Sequence, residues 1–395
     1  MKKYFIISFI IILIGTIPFI IHMNSKYEID LIGIKDVTIN VGSDYVDEGV
    51  VVKRFGKKTK NYEIINNVDS NKVGNYEVIY KTKDSEIKRN VNVVDNVKPN
   101  IKLKKSNYYL RNSKVDLKDY IEVSDNYDKD LNIKIESNID LNKNGVYKVK
   151  YLVSDSSNNE SGLETTINVQ EKDTDGIPVL MYHWFYDDTK GEKPGERNSH
   201  NYIAKSEFEK QMKYLKDNNY YFPTWQELID YIDNKIDLPK KSVILTDDDC
   251  LQSFFDVALP VFQKYEVPFT SFCITKRSNW QKYVGEPYLE FESHTNALHN
   301  RICKGSWDGA VMCKDYNTIR DDLKLSIEKV KNTYSFAYPF GHYNDNTIKA
   351  LKEVGIKLAF TIKDGKVKRG ANKYKLPRVR ISRGTSIETY KRLVK

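Results

Sequence analysis

Cysteine is scarce in this chain: there are four in 395 residues, all after residue 249. That excludes a disulfide scaffold, so the fold must rest on apolar cores, for which 40% hydrophobic content suffices. Cys303 and Cys313 bracket a short loop, RICKGSWDGAVMCK, and are candidates for pairing in an oxidising compartment. Cys273, in FTSFCIT, reads as a core strand residue. Histidine is nearly as sparse, with six. Long apolar runs are confined to one, Tyr4 to Ile21, preceded by Lys2 and Lys3. That run is long enough to cross a bilayer, and no small-residue cleavage pattern follows it. Residues 1–25 therefore read as an uncleaved, single-pass signal anchor that leaves the rest of the chain on the outer side of the cell membrane. With that topology the formal charge of +9 points to acidic polymers of a cell envelope, and not to nucleic acid.

From about residue 28 to 171 short alternating runs are separated by Asn, Asp, Gly and Ser, the pattern of all-β sandwiches. The pattern repeats. NKVGNYEVIY (71–80) aligns with NKNGVYKVKY (142–151), so Gly74, Tyr76 and Tyr80 recur as Gly145, Tyr147 and Tyr151, 71 residues on. Two tandem β domains, 26–96 and 97–172, are the simplest account. The phrase G-x-Y-x-V-x-Y resembles that of bacterial immunoglobulin-like repeats, which implies a spacer or a stalk that contacts envelope polymers.

After EKDTDG (171–176) helical periodicity alternates with apolar runs. Such alternation predicts parallel strands joined by helical crossovers. Seven strand candidates fall in 176–395: IPVLMYH, SVILTDD, FTSFCIT, LEFESH, SFAYPFG, KLAFTI and LPRVRI. The expected class is α/β, a distorted (β/α)7 barrel, whose catalytic groups gather at the C-terminal strand ends. His183, Asp247 to Asp249 and His294 all stand at such ends.

Three consecutive aspartates repel one another unless something compensates. His294 and His299 in ESHTNALHN share neither a helix face nor a strand face, so they meet at one atom only across a turn. Two imidazoles with one carboxylate make a donor set suited to zinc or a similar divalent ion.

LTDDDC resembles the first motif, T-F-D-D-G, of the NodB-homology polysaccharide deacetylases (carbohydrate esterase family 4), and SHTNALH resembles their second, H-[ST]-x(2,3)-H. The resemblance implies Asp248 as general base and Asp249, His294 and His299 as ligands of a divalent metal, Zn2+ by donor type. AYPFG (337–341) resembles the third motif, which implies a backbone N–H near Phe340 as oxyanion donor; its usual arginine is absent. Met181-Tyr182-His183 resembles the [LM]-x-H of the permuted branch that deacetylates poly-N-acetylglucosamine, which implies His183 as general acid. Arg378, in LPRVRI, resembles the arginine that orients the base there. Cys250 replaces the glycine of the first motif, Asp247 replaces its aromatic residue without an evident role, and the DxxDW motif is missing. His200 and His342 are left over.

The resemblance implies hydrolytic N-deacetylation of N-acetylglucosamine in an envelope polysaccharide. A wall-proximal anchor with a β stalk favours peptidoglycan; the permuted motif order favours a β-1,6-linked exopolysaccharide. A glycan-binding wall protein without turnover, and a structural spacer, are the competing readings.

Overall fold

The structure, a computed structural model, describes residues 26–104, 108–195, 199–277, 279–301, 303 and 307–395. The anchor expected over residues 4–21 lies outside them; among the described residues no helix is long and apolar enough to cross a membrane. The chain divides into two compact units, one of residues up to 106 with 115–137 and 149–165, the other of 107–114, 138–148 and 166–395.

In the first β domain, Tyr27–Leu31, Val50–Arg54 and Lys57–Lys58 form one antiparallel sheet. Asp36–Asn40, Glu86–Val94, Gly74–Lys81 and Glu63–Asn66 form a second, in that order. Tyr27, Val50, Val52, Val78, Tyr80, Val91 and Val93 share a buried cluster, as alternation requires. In the second β domain Asn100–Leu103 pairs with Ile121–Ser124, and Asn132–Ser137, Gly145–Ser154, Glu160–Gln170 and Tyr108–Leu110 form a four-stranded sheet. The repeated motif has a physical basis. Tyr76 and Tyr147 each donate a hydroxyl hydrogen bond of 2.9 Å to the carbonyl four residues earlier, Lys72 and Lys143. A Cβ on Gly74 or Gly145 would stand 3.4 or 3.2 Å from that tyrosine ring, which leaves little room for any other residue. Tyr80 and Tyr151 are both buried.

The second unit contains a closed barrel of seven parallel strands. They are β1 (Val179–Tyr182), β2 (Ile244–Asp248), β3 (Phe269–Cys273), β4 (Leu289–Ser293), β5 (Ser335–Ala337), β6 (Leu358–Asp364) and β7 (Leu376–Arg380), with β7 closing on β1. All seven are the strands expected from the apolar runs. Residues of β1, β2 and β3 are buried throughout, since a parallel barrel covers both faces of each strand.

Helices α1 (Lys205–Asp217), α2 (Trp225–Ile232), α3 (Tyr316–Val330) and α4 (Asp345–Glu353) each bury one stripe. Thr224 and Glu227 form a reciprocal cap at the start of α2, and Asp315 caps α3 through the Thr318 N–H. The buried stripe of α3 is Ile319, Asp322, Leu323 and Ser326, an apolar face interrupted by two polar residues.

Candidate active site

Strand geometry separates the three aspartates. Side chains alternate along β2, so Thr246 and Asp248 face the same way and Asp247 the other. Asp247 pairs in register with Ser271 of β3, whose hydroxyl donates 2.7 Å to its Oδ2. Burial pushes the Asp247 carboxyl well above the usual carboxylate range, with Asp248 and Asp249 adding to the shift. A neutral Asp247 relieves part of the repulsion in the triplet and has a packing role that its place in the motif does not announce.

Asp248 faces Arg378 of β7. The guanidinium donates two parallel bonds of 2.7 Å to its two carboxylate oxygens, a third of 3.1 Å to the Thr361 carbonyl and a longer one of 3.3 Å to the Thr246 hydroxyl. Both partners are buried, Arg378 completely. Burial alone would raise the Asp248 carboxyl, but the charge and hydrogen bonds of Arg378 outweigh it and hold the group well below its ordinary value. Asp248 is therefore an ionised, fixed acceptor. His183, just past β1, brings Nε2 to 3.9 Å from Asp248 Oδ2. Burial lowers the His183 pKa, against the pull of Asp248 and Asp249.

Asp249 leaves the strand with φ +82°, and Cys250 follows at +50°. Both lie in the left-handed region where the family motif ends in glycine. Cys250 is disulfide-bonded to Cys273 at the end of β3, so Cys273 is more than the core residue that its strand context suggests. Asn279 donates 3.0 Å to the Cys250 carbonyl, and Arg277 donates 3.1 Å to that of Asp249. The non-glycine turn is thus held from two sides. Cys303 and Cys313 also pair, and no cysteine is free.

His294 and His299 come together across a turn, as their spacing requires. Thr295, between them, has φ +73°. One ligand atom from each of Asp249, His294 and His299 lies within 4.8 Å of the others. His299 Nε2 stands 3.1 Å and His294 Nε2 3.8 Å from Asp249 Oδ1, a buried oxygen without a hydrogen-bond partner. The His294 Nδ1 lies 2.6 Å from the Ala337 carbonyl. It must therefore carry the proton, which leaves the Nε2 lone pair facing the cluster. Burial, with His299 beside it, holds the His294 imidazole down at about 4. A neutral imidazole with an inward lone pair and an orphaned carboxylate oxygen fit a divalent metal.

The second-motif loop hangs on a residue that sequence reasoning missed. Asp322 of α3 accepts 2.8 Å bonds from the N–H groups of both Asn296 and Ala297. An aspartate on the buried stripe of an amphipathic helix was the available signal. Ser326, one turn on, hydrogen-bonds to Ser293 at 2.7 Å.

Phe340 has φ +59° in the turn after β5, and its ring lies 4.6 Å from that of His299, centroid to centroid. Arg301, absent from the sequence expectations, also packs on it, with its guanidinium carbon 4.5 Å from the Phe340 ring centre. The N–H groups of Gly341 and His342 are spent on Tyr338 and Pro339. Gly341 is obligatory here. Its φ is +76°, and a Cβ would sit 2.9 Å from the Ile362 nitrogen. His342 accepts a 3.0 Å bond from the Gly309 N–H, so it supports the neighbouring loop. The His200 carbonyl accepts a bond from the Arg383 N–H.

Residues 235–359 match the family described as polysaccharide deacetylase, and residues 29–93 match the Ig-like domain of bacterial surface proteins. Over 207 residues the chain is 33% identical to a poly-β-1,6-N-acetyl-D-glucosamine N-deacetylase of Staphylococcus epidermidis, covering 48% of this chain and 71% of that protein. A protein of the same name from Staphylococcus aureus is 31% identical over 201 residues, covering 46% and 68%. Among solved structures, IcaB from Ammonifex degensii is 26% identical with a TM-score of 0.47, covering 56% of this chain and 97% of that one.

Proposed function

The chain belongs to the polysaccharide deacetylase family, and from that premise we propose that it removes the N-acetyl group from N-acetylglucosamine residues of poly-β-1,6-N-acetylglucosamine. The observation that carries the chemistry is the convergence, at one end of the barrel, of an arginine-held carboxylate, a histidine beside it and an Asp/His/His cluster. The substrate rests on the relatives, whose names specify that polymer. They displace peptidoglycan, which the anchor and stalk favoured, as the first choice.

Asp249, His294 and His299 are the residues that would hold a divalent metal, zinc by donor type. When bound, such an ion polarises the acetamide carbonyl and acidifies water. The remaining steps belong to the chain. Asp248, kept ionised and oriented by Arg378, accepts the proton of the attacking water. The Phe340 N–H, in its left-handed turn, donates to the oxygen that becomes negative in the tetrahedral state. His183, close to Asp248, hands on to the departing amine the proton that Asp248 took from the water. Acetate leaves, and the sugar retains a free amino group that is cationic at neutral pH. The Ig-like domain then serves as a spacer among envelope polymers. The N-terminal apolar run and disulfides suited to an oxidising compartment support a location on the outer face of the cell membrane.

The test is acetate release by the zinc-loaded protein from poly-β-1,6-N-acetylglucosamine and from isolated peptidoglycan, with Asp248→Asn as control. Release from the first polymer, abolished in the variant, is the expected result. Release from peptidoglycan alone would reverse the substrate assignment. Silence on both polymers with zinc bound would favour a glycan-binding protein.

A further inference from the structure

Outside the barrel, four carboxylates meet within the first compact unit. Asp95 follows the last strand of the first domain; Asp125 and Asp128 follow Ile121–Ser124, and Asp155 follows Gly145–Ser154. One oxygen from each lies within 4.8 Å of all the others. Among the described residues no lysine, arginine or histidine pairs with any of them. Four uncompensated charges that close would repel strongly.

The hydrogen bonds indicate what compensates them. Asp95 Oδ1 accepts from the Val97 N–H (3.1 Å) and Asn126 Nδ2 (3.3 Å). Asp125 Oδ1 accepts from the N–H groups of Tyr127 and Asp128, both at 2.9 Å. Ser156 donates through N–H (3.0 Å) and hydroxyl (2.8 Å) to Asp128 Oδ2, and Asn159 through N–H and Nδ2, each 2.8 Å, to Asp155. Every carboxylate is oriented by local donors, yet Asp95 Oδ2 and Asp125 Oδ2 are buried with no partner. Asp95 is only 4% exposed, so water does not substitute for one. Carboxylates oriented by local donors, two of them with a buried oxygen left bare, are the arrangement of metal ligands with their supporting shell.

We propose that Asp95, Asp125, Asp128 and Asp155 bind one calcium ion, which fastens the end of the first β domain to two loops of the second. The donors are all hard oxygens, and oxygens on opposite sides of a calcium shell stand about 5 Å apart, which matches the span here. Four fixed carboxylates suit the high and flexible coordination number of calcium better than magnesium, which retains most of its water. The site is specific to this junction. At the 71-residue repeat offset, Arg54 and Lys57 stand where the second domain has Asp125 and Asp128.

The experiment is calcium titration of the full chain, stripped of metal and reloaded with zinc, followed by calorimetry and by the melting of the β-domain signal. One calcium per chain is expected, with a Kd on the order of 10⁻⁴ M or tighter, a rise in the β-domain melting temperature, and much weaker uptake of magnesium. Asp95→Asn should weaken binding at least tenfold and leave acetate release on a short oligosaccharide unchanged. Asp128→Asn, at a less buried position, gives the same reading where the first variant folds poorly. No calcium uptake at millimolar concentration by the parent protein would overturn the proposal, as would equal affinity for magnesium or undiminished uptake in the variants.

Discussion

A guanidinium with no solvent exposure ties the far strand of the barrel to the candidate base. Replacing Arg378 with Met leaves Asp248 ionised, buried and unpaired, which typically costs about 3–5 kcal/mol. Its carboxyl should then rise toward and beyond the ordinary range. Urea denaturation should show the loss in stability, and acetate release should fall at least a hundredfold while zinc affinity, measured by competition with a chromophoric chelator, stays within a few-fold. A comparable loss of zinc would mean that Arg378 supports the whole site and not the base alone. His294 offers a second test. Its folded pKa is about 4, against an ordinary 6.5. Between those values the unfolded chain takes up a proton that the folded chain refuses, so metal-free protein should lose stability as pH falls through this window, by on the order of 3 kcal/mol. His294→Gln should flatten that dependence in thermal melts recorded in chelator; an unchanged slope would assign it elsewhere.

The loop between β4 and α3 shows how an element, more than a motif, makes a ligand pair. His294 and His299 meet because the chain turns at Thr295 and because Asp322 holds two consecutive N–H groups of that turn. Asp322→Ala removes both bonds and leaves two donors unsatisfied, at a cost of about 1–3 kcal/mol. Zinc affinity should drop by roughly 10- to 100-fold, as is usual when a ligand's support is lost. Asp322→Asn, which keeps an acceptor, should recover part of it. A chelator titration that shows no change in affinity would reduce Asp322 to a stability residue. The motif phrase alone marks the histidines. The carboxylate that positions them sits 28 residues beyond His294, in a helix whose stripe otherwise looks like ordinary core.

Two units with their own cores imply that unfolding of the whole chain is not a single two-state event. Calorimetry should resolve at least two transitions, and zinc should raise only the barrel's, because it binds residues of that unit alone. A single transition, moved as a whole by zinc, would show that the units fold cooperatively.

Strand number, barrel class and the β repeats could be read along the chain, because apolar period and turn chemistry are local properties. Asp248, Asp249, His294, His299, His183, Phe340 and Arg378 are candidates marked by the resemblance of short phrases to family motifs. The meaning of Asp247 and Cys250 could not be read in this way. Asp247 acquires its role from the register of β2 against β3, and Cys250 from a disulfide to the end of β3, both pairings between strands more than twenty residues apart. Arg301 on Phe340 and the four aspartates at the β-domain junction are likewise distant in sequence. Such contacts arise only when the chain closes on itself, since nothing in local periodicity says which surfaces will face each other.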